Sequence, residues 1–205
     1  MGLYSRYIFP WGMDRAMQRP EITALREELL AAVRGEVFEL GFGTGLNLAH
    51  YPRNVRRIAA VDPNPGMSRR AEKRIAASPI PVDRRELSGE RLPFVSERFD
   101  SVVSTWTLCS IPDVRAALHE VRRILKPRGR FYLVEHGLAE DPKVRAWQRR
   151  LNPLQMCYGD GCRLDRDIRA LVIEAGFKFQ ELETFYLDGH RESVGFTYRG
   201  VAVKA

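Results

Sequence analysis

The feature that most constrains this chain is a glycine-spaced turn, Glu39-Leu40-Gly41-Phe42-Gly43-Thr44-Gly45, that follows a short apolar run, Val37–Leu40. Glycine tolerates positive φ and lets the backbone come close to a ligand. An apolar strand feeding such a turn and then a helix reads as one unit of a parallel sheet. Ligands of open α/β sheets sit at the carboxyl ends of those strands. A second strand, Arg57–Val61, runs into Asp62 within Val61-Asp62-Pro63-Asn64-Pro65. A carboxylate at that point can accept two hydrogen bonds, which suits a ribose diol. The glycines alone are also compatible with a tight strand–helix turn that binds nothing. A dinucleotide site expects Gly-x-Gly-x-x-Gly, and the spacing here is Gly-x-Gly-x-Gly.

The rest of the chain alternates in the same way. A helix opens at Pro20, with Ile22, Leu25, Leu29 and Val33 on one face, and Gly35 ends it. Further helices are predicted from about Leu46, over Gly66–Ala76, over Asp113–Leu125, over Asp141–Cys157 with Pro153 as a break, and over Arg166–Ala175 with Gly176 as its cap. Strands are predicted at Pro81–Leu87, Phe99–Ser104 and Phe131–Glu135. Two more, near Lys178–Tyr186 and Val194–Val203, are joined through Leu187-Asp188-Gly189-His190. The expectation is an α/β fold: a seven-stranded, mostly parallel sheet, five strands connected by helices, a closing antiparallel hairpin, and helices on both faces.

Composition narrows the classes. At 205 residues, 44% hydrophobic and 29% charged, the chain is expected to be a single domain over 1–205 rather than disordered or coiled coil. No apolar run approaches the roughly 18 residues of a membrane helix. Three cysteines, Cys109, Cys157 and Cys162, have no spacing typical of a metal or redox pair. They predict free thiols, no metal and a cytoplasmic setting. The net charge of +7 is scattered along the chain, which fits a solvated surface better than a nucleic-acid groove.

Glu39–Gly45 resembles motif I of class I S-adenosylmethionine-dependent methyltransferases, and the likeness continues at matching intervals. Asp62 corresponds to that family's acidic ribose ligand. Asn64 and Met67 fall where its adenine pocket is lined, and Ser88-Gly89-Glu90-Arg91-Leu92-Pro93-Phe94 resembles its adenine loop. Phe99–Val103 resembles motif IV, and Leu125-Lys126-Pro127-Arg128-Gly129 the turn that follows. Ser88 stands where many relatives place Asp, and Arg128 replaces a glycine, which favours a type I turn. Within the class the chain looks like the group around methyltransferase-like protein seven, which methylates thiols, and like bacterial ubiquinone-type and phospholipid methyltransferases. Gly45-Leu46-Asn47-Leu48, Leu108-Cys109-Ser110, Val134-Glu135-His136 and Asp160-Gly161-Cys162 carry that likeness. The eukaryotic members have an N-terminal membrane anchor, and none is expected here.

The resemblance implies a Rossmann-like sheet, S-adenosylmethionine as cofactor, S-adenosylhomocysteine as product, and a small-molecule or lipid acceptor. It assigns the cofactor to Glu39, Gly41, Gly43, Gly45, Asn47, Asp62, Asn64, Met67, Ser88, Gly89, Glu90, Thr105 and Trp106. His136, after the fifth strand, is the candidate base, or else a strand cap bonded to backbone. Asp160 is a second catalytic candidate, or a structural turn. Cys162 has no partner by spacing and is discounted as a nucleophile. Trp106 lines the pocket or packs in the core. His190 and Arg191 lie in a loop that opens on the ligand face. Residues 1–19, with Tyr4, Tyr7, Phe9 and Trp11, are expected to form a lid; simple docking, or a peripheral membrane contact beside Arg6, Arg15 and Arg19, are the alternatives. The expected activity is methyl transfer to a thiol or similar soft nucleophile. Membrane-surface phospholipid or quinone methylation and a non-catalytic cofactor-binding module are the competing readings.

Overall fold

The central strands carry apolar side chains on both faces, so the sheet they form must be covered twice. The computed structural model, which describes residues 2–188 and 195–205, meets that need. Strands β1 (Gly35–Leu40), β2 (Val55–Val61), β3 (Val82–Arg85), β4 (Phe99–Thr105), β5 (Leu125–His136), β6 (Phe177–Tyr186) and β7 (Phe196–Lys204) form one sheet in the order β3-β2-β1-β4-β5-β7-β6. The first five pair in parallel, and β7 runs antiparallel between β5 and β6. The chain leaves β1 in one direction towards β3 and returns to β4 on the other side. That reversal opens a crevice at the carboxyl ends of β1 and β4.

Helices α1 (Phe9–Ala16), α2 (Pro20–Leu30), α3 (Ser68–Ala77), α4 (Val114–Ile124), α5 (Pro142–Tyr158) and α6 (Ile168–Glu174) surround the sheet. Strand alternation divides the core in two. Phe38, Leu40, Val102, Phe131 and Leu133 pack with α4 and α6 on one face; Val37, Ile58, Val103 and Val134 pack with α2 on the other. In α4, the stripe Val114, Ala117, Leu118, Val121 and Ile124 is buried, and Asp113 caps the helix by accepting from the Ala116 amide at 3.0 Å. Each fully buried side chain of this kind contributes roughly 1.5–3 kcal/mol.

Several local expectations are corrected. The helix after the glycine turn is a short 3-10 helix, Leu46–His50, rather than a longer α-helix. Pro52 forces Tyr51 into an extended conformation (φ −69°, ψ 132°), which stops it. The link from β3 to β4 also lacks a helix, so not all five parallel strands are helix-connected. α2 ends at Leu30, and Gly35 (φ +78°) opens β1 instead, where a Cβ would strike Asp100. Pro153 sits inside α5 without ending it. Pro153 and Arg149, whose carbonyl loses its partner, are both exposed, so water can satisfy that carbonyl. The turn expected at Leu125–Gly129 is not there: those residues open β5, which pairs with β4 through a register shift between Phe99 and Ser101. His190, Arg191 and Val194 lie outside the described residues.

Candidate active site

The glycine turn is built for close approach. Gly41, Gly43 and Gly45 all have positive φ, between 54° and 82°. A Cβ on Gly41 would come within 2.0 Å of the Thr107 hydroxyl, so that position serves packing. A Cβ on Gly43 would meet nothing within 4 Å, because Gly43 faces the cavity. The Gly43 amide donates to Asp62 Oδ2 at 2.7 Å, and the Asn64 amide donates to Oδ1 at 2.9 Å. Burial pushes the Asp62 carboxyl pKa up, against the pull of these two amides. The same bonds join the ends of β1 and β2 into one rim.

Below the rim lies a buried polar floor. Glu39 accepts from Asn47 Nδ2 and from the Tyr51 hydroxyl, each at 2.8 Å. Desolvation raises its pKa to about 7, with Tyr51, Asn47 and Arg26 opposing. Asn47 also donates to Thr105 Oγ1 at 3.1 Å, and its own Oδ1 is buried without a partner. Arg26 enters from α2: it donates to the Met17 carbonyl at 2.7 Å and stacks 5.0 Å over the Trp106 ring, and its Nε is buried without a partner. Burial lowers its pKa to about 10, so it remains a cation at neutral pH.

The opposite wall is soft. Glu135, wholly buried, accepts from Ser104 Oγ (2.7 Å) and from the amides of Thr107 (2.9 Å) and Leu108 (3.1 Å). Those bonds fix the turn that gives Trp106 its positive φ of 50° and sets Cys109 at the cavity. His136 Nε2 lies 2.9 Å from Cys162 Sγ, and Cys162 Sγ lies 3.6 Å from Cys109 Sγ. The Cys109 contact and burial push the Cys162 thiol well above its ordinary pKa. Burial works against a charged His136, but Cys162 and Glu135 outweigh it and raise the imidazole pKa. His136 Nδ1 is buried without a partner, so the ring is turned towards the sulfurs and caps no backbone group in the described residues.

The N-terminal segment covers the opening. Phe9, Met13, Asp14 and Met17 line the cavity. Asp14 accepts from Thr44 Oγ1 at 2.5 Å and from Arg74 at 2.7 Å, and Asn64 Nδ2 donates to the Ser5 carbonyl (3.1 Å) and to Asp160 Oδ2 (3.0 Å). Thus Asp160, at positive φ, stands where the N-terminal segment, the rim and the soft wall meet.

One cavity of about 380 Å³ gathers Glu39, Gly41, Gly43, Asn47, Asp62, Asn64, Met67, Ser88, Gly89, Thr105, Trp106, His136 and Asp160. Two predicted residues stand off it. Gly45 turns the chain behind the loop, against Phe42. Glu90 accepts from the Asp113 amide at 2.7 Å and from Ser88 Oγ at 2.8 Å, so it braces the loop around Ser88 against the start of α4. Sequence reasoning missed Arg26, Asp14 and the contact of Cys109 with Cys162. Arg26 sits among the polar positions of an amphipathic helix, and the two cysteines are 53 positions apart.

Known proteins resemble this chain in sequence and in fold. The family model described as a methyltransferase domain matches residues 38–133. Human thiol S-methyltransferase TMT1A is 34% identical over 172 residues, 82% of this chain and 70% of that protein. Rat thiol S-methyltransferase TMT1B is 34% identical over 157 residues, 72% of this chain but only 62% of its own length. A solved SAM-dependent methyltransferase from Thermotoga maritima superposes with a TM-score of 0.70 at 20% identity, covering 98% of each chain, which shows the shared fold. The fold and site define a class built to hold a nucleoside-bearing cofactor at the switch point of the sheet. The chain belongs to the class I S-adenosylmethionine-dependent methyltransferases.

The family's cofactor fits the residues present. Asn47 Oδ1 and Arg26 Nε are buried polar atoms lacking partners, and Gly43 leaves a cradle that any side chain would fill.

Proposed function

We propose that this chain transfers a methyl group from S-adenosylmethionine to a small apolar thiol, and that residues 1–205 act as one domain with residues 1–19 as its lid. The observation that carries the reading is the joining, in one cavity, of the glycine and Asp62 rim with the soft wall of Cys109, His136 and Cys162. The thiol methyltransferase relatives favour the same acceptor class.

In this reading Asp62 takes the ribose hydroxyls, and Asn64, Met67, Ser88 and Gly89 border the adenine. Glu39, Asn47 and Thr105 with Arg26 receive the amino-acid end: Asn47 Oδ1 accepts from the ammonium and Arg26 meets the carboxylate. The cofactor supplies an activated methyl group and a good leaving group. The chain orients the acceptor in line and keeps water out with the lid and Trp106. His136 is the catalytic group at the acceptor end, and Asp160 receives the acceptor's proton on its way to solvent. A thiol needs little help, because its pKa lies near 8.5. The three free thiols fit a reducing cytoplasm.

Methyl-labelled S-adenosylmethionine offered with small alkyl thiols, with phenols or quinols, and with phosphatidylethanolamine vesicles tests the reading. Label is expected in the thiol pool. Label in the lipid pool alone would overturn it. One observation favours that second reading: Leu3, Tyr7, Ile8 and Trp11 are exposed beside Arg6 and Arg15, a combination suited to an anionic bilayer surface. Among the described residues, no helix is long and apolar enough to cross a membrane.

A further inference from the structure

The soft wall has a geometry of its own. Three potential ligand atoms, Cys109 Sγ, His136 Nε2 and Cys162 Sγ, all lie within 4.8 Å of one another. Tetrahedral zinc, with Zn–S near 2.3 Å and Zn–N near 2.0–2.1 Å, sets two sulfurs about 3.8 Å apart and a sulfur and a nitrogen about 3.6 Å apart. The sulfurs here are 3.6 Å apart, and the nitrogen is 2.9 Å from Cys162 Sγ. The sulfur pair is already at coordination distance. Relative to Cys162, the imidazole nitrogen needs to withdraw by less than about 1 Å.

Two buried thiols in contact are ordinary core packing when apolar side chains surround them. These two have a ring nitrogen aimed at them, and all three residues line the cavity. Around them lie groups that suit charged ligands. Gln155 Nε2 donates to Cys162 Sγ at 3.4 Å, and Ser110 Oγ lies 3.5 Å from Cys109 Sγ. The buried Arg166 guanidinium is held by the carbonyls of Leu108 and Ile111 beneath the Cys109 segment. It places a positive charge near two sulfurs that become thiolates on binding metal.

We propose that Cys109, His136 and Cys162 hold a thiophilic divalent cation of the zinc class, with its fourth position open to the cavity for the sulfur of the methyl acceptor. Three protein ligands and one open position are the pattern of catalytic rather than structural zinc. The proposal rests on the thiol-acceptor reading and gives His136 its role there, as a ligand. A thiol bound to such an ion loses its proton to solvent and stays nucleophilic at neutral pH. Its sulfur attacks the methyl carbon and a sulfur–carbon bond forms. The bond from that carbon to the sulfonium sulfur breaks, with its electron pair left on that sulfur. The products are a methyl thioether, S-adenosylhomocysteine and the released proton.

The test needs neither cofactor nor acceptor. The chain, stripped of metal under reducing conditions, is titrated with cobalt(II), and thiolate-to-cobalt charge-transfer absorption is followed. Saturation at a single ion per chain is expected. Cys109→Ser, Cys162→Ser and His136→Ala are each expected to weaken affinity at least tenfold, with unchanged circular dichroism, and Cys157→Ser to leave it unchanged. Absence of the absorption, or its survival in the Cys109→Ser/Cys162→Ser double variant, would overturn the site. A second assay separates the site from the reading beneath it. If the metal-stripped chain methylates a thiol at full rate, the ion's role falls and the functional reading stands. If the loaded chain binds S-adenosylmethionine but labels no thiol, the functional reading falls and the acceptor role falls with it.

Discussion

The two ends of the cavity are made differently. The end proposed to hold the cofactor is built largely from backbone: amides of Gly43 and Asn64 on Asp62, and positive-φ glycines across 41–45. The end proposed to take the acceptor is built from side chains on three separate stretches: Cys109 beyond β4, His136 at the end of β5 and Cys162 beyond α5. Backbone binding is local and depends on φ and close approach, so it leaves a spacing in the chain. Side-chain assembly depends on the whole sheet order and leaves none. The difference predicts that the two ends fail independently.

The largest expected effect separates two glycines of one loop. Gly41→Ala drives a methyl into Thr107 and is expected to cost about 3 kcal/mol or more, read as a large drop in Tm. Gly43→Ala meets open space and should cost only its backbone strain, about 1–2 kcal/mol, while weakening S-adenosylmethionine binding at least tenfold. Equal stability losses would blur the distinction between packing glycine and cradle glycine.

The next contrast crosses the cavity. Asp62→Ala is expected to weaken cofactor binding by at least tenfold, about 1.4 kcal/mol. His136→Ala should reduce kcat by a similar factor and leave the cofactor Kd within about twofold by calorimetry. If His136→Ala weakens the cofactor as much as Asp62→Ala does, the ends are not separate.

A smaller effect follows from Glu39. Its pKa of about 7 in the folded chain lies above the ordinary 4.5, so between those values the folded state holds a proton that the unfolded state releases. Stability therefore falls as pH rises through that window and levels off above about 7. The cofactor's ammonium favours the ionised carboxylate, so affinity should rise several-fold from pH 6 to 8. Glu39→Gln should flatten both profiles; an unchanged slope would remove Glu39 from the site.

The smallest concerns the lid. Asp14→Ala removes the contacts to Thr44 and Arg74 and should speed hydrogen exchange in 4–16 and cofactor release by a few-fold, with little change in Tm. Unaltered exchange would make the segment a docked terminus.

The same contrast explains what was legible in the amino-acid order. The sheet, its closing hairpin and the rim residues were readable because strand runs, glycine spacing and Asp62 are local. The helix after the glycine turn stays one 3-10 turn long because Pro52 holds Tyr51 extended, a limit the local pattern does not show. The continuity of α5 through Pro153 was misread because exposure of the freed carbonyl is a tertiary fact. Cys162 was set aside for want of a partner in spacing, yet the fold supplies His136 and Cys109 at once. Glu90 reads as a cofactor residue by position, and only the fold shows its carboxylate accepting from the Asp113 amide at the start of α4.

The most direct measurement is methyl transfer from labelled S-adenosylmethionine to a small alkyl thiol, at saturating cofactor, for the unaltered chain and for Cys162→Ser. If the soft wall serves a thiol acceptor, label enters the thioether for the unaltered chain, and the variant is at least tenfold slower with equal cofactor affinity. Equal rates in the two chains, or cofactor bound by both with no label reaching the thiol, would contradict it.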